Sequence, residues 1–102
     1  MSFRRAAKKD ANHVEIVRTF RTLGFSVLDV AQLKNCCDII VSKECLTAAI
    51  EIKDGAKPPS ARKLSAGEEE FRDTWRGKWV LIESVDDVIQ LDENWLKNST
   101  GA

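Results

Sequence analysis

The sequence predicts an α/β domain whose mixed central sheet is flanked by helices, in the order α-β-β-β-α-β-α. Three observations carry that prediction. An apolar hairpin spans 38–53, with Asp38-Ile39-Ile40-Val41 and Leu46 to Lys53 on either side of Ser42-Lys43-Glu44-Cys45. Two amphipathic stretches carry helix start and stop residues, Asn12 to Gly24 and Ser65 to Gly77. Finally, a strand-helix-strand step over 46–82 needs a right-handed crossover, which makes the last strand parallel to its partner.

Taken in order, residues 10–23 read as a helix. Asn12 and Glu15 have capping-box spacing, Asp10 competes as cap, and Val14, Ile16, Val17, Phe20 and Leu23 supply the apolar side. Glu15 on its own reads as a capping residue. Phe25 to Val30 alternates as the first strand, and Ala31 to Cys37 connects it to the hairpin. If Glu44 and Cys45 form a two-residue loop, facing positions sum to 89 and Asp38 lies opposite Glu51. Gly55 to Lys63 holds two prolines and three basic residues, which predicts an irregular, DNA-facing loop. Ser65 and Glu68 form a clear capping box, so Glu68, Glu69 and Glu70 read as structural, at the positive end of a helix. Phe71 and Trp75, four apart, are expected to face inward. Lys78 to Ile82 is the fourth strand, and Ser84 caps a short last helix through Val85, Val88, Ile89 and Leu91. Trp95 and Leu96 are expected to pack on the body; residues 1–9 and 97–102 are expected to be flexible ends of a single domain, 1–102.

Composition narrows the function. A length of 102 residues with 43% apolar content suits one unstapled core. Net charge is zero, but residues 1–82 carry 15 Lys and Arg against 11 Asp and Glu, an excess of four positive charges. That excess shares its segment with the hairpin and favours a polyanionic partner. Cys36, Cys37 and Cys45 are an odd, partly adjacent set that fits a reduced, cytoplasmic setting better than a disulfide framework. A lone His13 and no C-x-x-C argue against zinc. No apolar run reaches membrane-spanning length, and the basic start lacks the apolar core of a signal peptide.

The hairpin carries the chemistry. Side chains alternate along a strand, so Lys53 shares a face with Glu51 and with Asp38 opposite it. Two carboxylates that close repel unless a cation neutralises them. Oxygen ligands on a rigid strand suit Mg²⁺, which accepts one or two carboxylates, several waters and phosphate oxygens. Lys53 would add a point charge beside the reacting phosphate. The D-x12-ExK spacing alone fits a salt bridge at a strand end equally well.

The element order with Asp38, Glu51-Ile52-Lys53 and a helix-borne Glu15 resembles the PD-(D/E)XK nuclease superfamily, and more narrowly the small stand-alone VRR-NUC and phage-type nucleases related to Holliday-junction resolvases. The matching stretches are DANHVEIVRTFRTLGFSV, NCCDIIV, AAIEIKDGAKPPSARKLSAGEEEF and WRGKWVLIES. Cys37 stands where the motif often has proline, which would stiffen the approach to the strand. The resemblance implies a restriction-endonuclease-like αβββαβ core with a short C-terminal helix. It also implies Mg²⁺- or Mn²⁺-dependent hydrolysis of DNA phosphodiesters, with Asp38, Glu51 and Lys53 catalytic. Asp38, Glu51, the Ile52 carbonyl and Glu15 would form the metal site. Arg4, Arg5, Lys8, Lys9, Lys34, Lys57, Ser60, Arg62 and Lys63 are the expected DNA contacts. A homodimer acting on branched DNA, in the cytoplasm of a bacterium or phage-infected host, completes the expectation. The rival is a catalytically silent nucleic-acid-binding module of the same fold; a purely structural partner protein has only the neutral net charge in its favour.

Overall fold

The hairpin register organises the sheet. In the computed structural model, which describes residues 10–100, β2 (Ile39–Lys43) and β3 (Leu46–Ile52) pair antiparallel as Ile39↔Ile50, Val41↔Ala48 and Lys43↔Leu46. Glu44 and Cys45 close the turn at φ 58° and 66°. A two-residue loop that matches strand twist needs both residues left-handed, a demand usually met by Asn-Gly. Here strand pairing imposes it on ordinary side chains. β1 (Ser26–Asp29) adds antiparallel to β2, and β4 (Lys78–Ile82) adds parallel to β3, giving the order β1-β2-β3-β4.

One face of this four-stranded mixed sheet is apolar throughout. Ile39, Val41, Ala48, Ile50, Ile52 and Ile82 are all at most 1% exposed, because alternation sends every second side chain to that side. Against them lie Ile16, Val17 and Phe20 of α1 (His13–Thr22) and Val88 and Leu91 of α3 (Val85–Glu93). Phe20, Phe25 and Trp95 stack edge to face in a chain, at 5.1 and 4.9 Å between centroids. Trp95 opens α4 (Trp95–Thr100) and donates its indole N–H to the Lys43 carbonyl at 2.8 Å. The stretch 97–100, expected to fray, is therefore helical, while Leu96 is exposed. Residues 1–9, with Arg4, Arg5, Lys8 and Lys9, lie outside the described residues, as do 101–102.

Three local expectations are corrected. The first helix starts at His13, and Asn12 makes no side-chain cap with Glu15's turn. Its amide instead donates to the carbonyls of Lys53 and Glu83, both at 3.2 Å, clasping the ends of β3 and β4 together. The loop after β3 is not wholly irregular, since Pro59–Arg62 makes a single 3-10 turn. Phe71 and Trp75 do not enter the core: α2 (Ala66–Thr74) has no buried residue and Trp75 is 37% exposed. α2 lies outside the layer of helices that covers the apolar core, so helical spacing of aromatics carries no burial there. Among the described residues no helix is long and apolar enough to cross a membrane.

Asn12→Ala leaves two strand-end carbonyls without their donor and should cost about 1–3 kcal/mol. Denaturant unfolding should show the loss as a lower midpoint with unchanged slope; an unchanged midpoint would mean that water replaces the clasp.

Candidate active site at the end of the hairpin

The acids meet just past the end of the ladder. The Asp38 N–H donates to the Ile50 carbonyl at 3.0 Å, one residue out of step with the pairing of Ile39 and Ile50. Asp38 is thus a bend outside β2 that reaches Glu51 through its side chain. Asp38 Oδ2 in turn accepts the Ile52 N–H at 2.7 Å, fixing its carboxylate across the strand end. Ile52 thus enters the site through its N–H, with its side chain in the core.

Glu51 is 2% exposed, on the sheet face opposite the apolar core, and its Oε1 is buried without a hydrogen-bond partner. Burial first, and then the neighbouring Asp38, push its carboxyl up to about 10. A carboxyl in that position holds a proton at neutral pH. Lys53 donates to Glu68 Oε1 at 2.9 Å rather than to either acid opposite. Burial disfavours its charge, yet the hydrogen bond and field of Glu68, with Glu51 behind, hold it above its ordinary value. Glu68 is held low despite partial burial, because the Ser65 N–H at 2.8 Å and Lys53 both stabilise its charged form.

Two residues join the site that spacing did not mark. Glu68 completes the capping box of α2 as expected, and the same oxygen anchors Lys53. Asp10 lies just ahead of α1 with its carboxyl raised by burial, in the fields of Lys53 and Asp38. Its only sequence signal was a competing cap. Glu15 stands apart: it is exposed and lines a groove of about 530 Å³ with Asp54, Glu83, Asp86 and Asp87.

Of the expected DNA contacts within the described residues, Lys34, Lys57, Ser60 and Lys63 are exposed. Arg62 is not free, since its guanidinium binds Glu83 at 2.9 Å and the Lys57 carbonyl at 2.8 Å. It braces the loop. Cys36, Cys37 and Cys45 are free thiols, and burial pushes Cys37, at the head of β2, up to about 12.

Among the described residues no group of three or more His, Cys, Asp or Glu side chains forms a ready-made metal cage. Mg²⁺ does not need one, because it keeps waters and takes only one or two carboxylates. The buried orphan oxygen of Glu51 beside the fixed carboxylate of Asp38 fits such an ion. Comparison of the chain with protein families, curated proteins and solved structures gave no match.

The raised carboxyl of Glu51 has a definite pH consequence. Its folded value lies above its unfolded one, so the folded state binds the extra proton. Stability in chelator should fall as pH rises from about 4.5 towards 10, the reverse of an ordinary ion-paired acid. Glu51→Gln, which keeps the shape and removes the charge, should flatten that slope and raise the melting temperature above pH 8 by roughly 4–8 °C per kcal/mol regained. Thermal melts across pH check this; parallel slopes in both proteins would contradict it.

Proposed function

We propose that the chain is a Mg²⁺- or Mn²⁺-dependent endodeoxyribonuclease with the restriction-endonuclease-like core of the PD-(D/E)XK superfamily. The single observation that supports the reading is a Glu51 oxygen that is buried and unpartnered, with Asp38 and Lys53 acting on the same carboxyl. A divalent cation held by the carboxylates of Asp38 and Glu51 would supply positive charge to the phosphate and make water a better nucleophile at neutral pH.

The chain's own residues have distinct tasks. Asp38 is pre-set by the Ile52 N–H and needs no rearrangement to present its free oxygen. Glu51 would hold the cation as a carboxylate, its proton passing to solvent, and the cation's charge would offset the cost of burying that anion. Lys53 stays charged through Glu68, so it acts as a point charge near the phosphate rather than as a base. Lys34, Lys57, Ser60 and Lys63 offer contacts to the DNA backbone. Branched DNA as substrate and a homodimer as the working unit follow from the superfamily resemblance. Asp10 is a further acid beside the site, in addition to the Glu15 that the superfamily resemblance implies.

Nicking of four-way-junction, flap, duplex and single-stranded DNA tests the reading. Cleavage should require Mg²⁺ or Mn²⁺ and disappear in chelator. Lys53→Ala and Asp38→Asn should each lower the rate by about 100-fold or more, the scale of losing one pre-organised charge. If no substrate is cut, or Lys53→Ala cuts as well as the wild type, this assignment fails; salt-sensitive DNA binding without cleavage, unchanged in Asp38→Asn, is the outcome that marks a silent binding module.

A further inference from the structure

The end of α2 remote from the acids carries a second feature. Phe71 and Trp75 stack on each other, with centroids 5.3 Å apart and planes at 22°. The Trp75 indole N–H donates to the Lys78 carbonyl at 3.0 Å, and Gly77 leaves room for the ring, since a Cβ there would sit 3.0 Å from that nitrogen. The ring is therefore held from its edge and one neighbour while the residue stays 37% exposed. A tryptophan so fixed loses little side-chain entropy when something settles on it.

The surroundings indicate what settles. Arg72, Arg76 and Lys78 lie within three residues of Trp75 in the chain. Arg72 is paired with Asp73 at 2.9 Å and feels Glu69, which leaves Arg76 and Lys78 as the cations beside the ring's segment. Arg72 also lies over the Trp79 ring, 5.9 Å from its centroid. Aromatic faces amid cations are how proteins hold unpaired nucleic-acid bases, stacking the base and neutralising its phosphate. The helix that ends at this platform carries Glu68, the partner of Lys53, in its first turn. Seven residues separate Glu68 from Trp75, a rise of about 10 Å, so a strand in the site reaches the platform within a few nucleotides.

We infer that Trp75, backed by Phe71 and with Arg76 and Lys78 beside it in the chain, is a stacking platform for an unpaired base, which directs the protein to DNA containing single-stranded segments. This rests on the reading that DNA is the partner, and it narrows the substrate from DNA in general to DNA with unpaired bases near the cut.

Binding measured in chelator separates the platform from cleavage. The probes are a short oligothymidylate and a duplex of equal length, followed by tryptophan fluorescence and by anisotropy. Trp95 is buried in the core, so quenching reports the α2–β4 side. Oligothymidylate should quench the wild type. Trp75→Ala should bind it about tenfold more weakly, with duplex affinity changed by less than about twofold. Trp75→Phe should retain affinity within about threefold, which excludes a folding defect. Arg76→Ala should lower the salt slope for oligothymidylate by about one. Equal oligothymidylate affinity for Trp75→Ala and wild type overturns the platform while leaving the nuclease reading intact. So does equal loss on both probes, or a change in sedimentation with unchanged DNA affinity, which would mark a contact between copies. Absence of binding to any DNA overturns both readings.

Discussion

A carboxylic acid placed out of water at the end of the central strand is the constraint on which this structure turns. The two-residue turn at Glu44-Cys45 fixes the register of β2 and β3, and Asp38 reaches Glu51 from the bend just before that ladder begins. A slip of one residue would exchange the two faces, moving the acids into the apolar layer and the isoleucines into solvent. The core and the candidate site are therefore specified by the same pairing. Ile50 and Ile52 point one way into the helices; Glu51 and Lys53 point the other way. Such a carboxyl is costly to ionise alone, which is what makes it a candidate for a functional site.

The rest of the molecule holds that strand end in place. Asn12 clasps the exits of β3 and β4 from the start of α1. Arg62 fastens the following loop to Glu83, so the chain returns to α2 at a set distance. There the capping box puts Glu68 on Lys53, which makes helix initiation and lysine position one arrangement rather than two. On the opposite flank, Lys43 bonds to the Leu23 carbonyl and to Asp92, and lies 4.3 Å from the Phe25 centroid. The polar end of the hairpin turn is thereby tied to α1 and α3.

Much of this was legible before any coordinates. β-branched runs around a four-residue polar break predict the hairpin and its two-residue loop, which the register from Ile39 and Ile50 to Lys43 and Leu46 bears out. Asp38 lies one residue beyond that ladder and comes to Glu51 by its side chain. The crossover rule likewise predicts β4 parallel to β3. What escaped depends on contacts between distant residues. Asn12 looks like a cap because its spacing to Glu15 is right, but its partners lie 41 and 71 residues away. Arg62 looks like a phosphate contact because its loop is basic, and only the fold brings Glu83 to it. Glu68 was read correctly as a cap, yet nothing in the spacing says that the cap abuts Lys53. Phe71 and Trp75 follow helical periodicity, which reports a shared helix face but not what that face meets.

The most direct measurement of whether Asp38 and Glu51 form one cation site is calorimetric titration with Mn²⁺ in two buffers of different ionisation enthalpy. One ion should bind per chain near pH 7.5, releasing about one proton as the Glu51 carboxyl gives way. Both the heat and the proton should be lost in Asp38→Asn and in Glu51→Gln. Binding of Mn²⁺ with the same heat and no proton release in all three proteins would place the ion elsewhere and contradict the shared site.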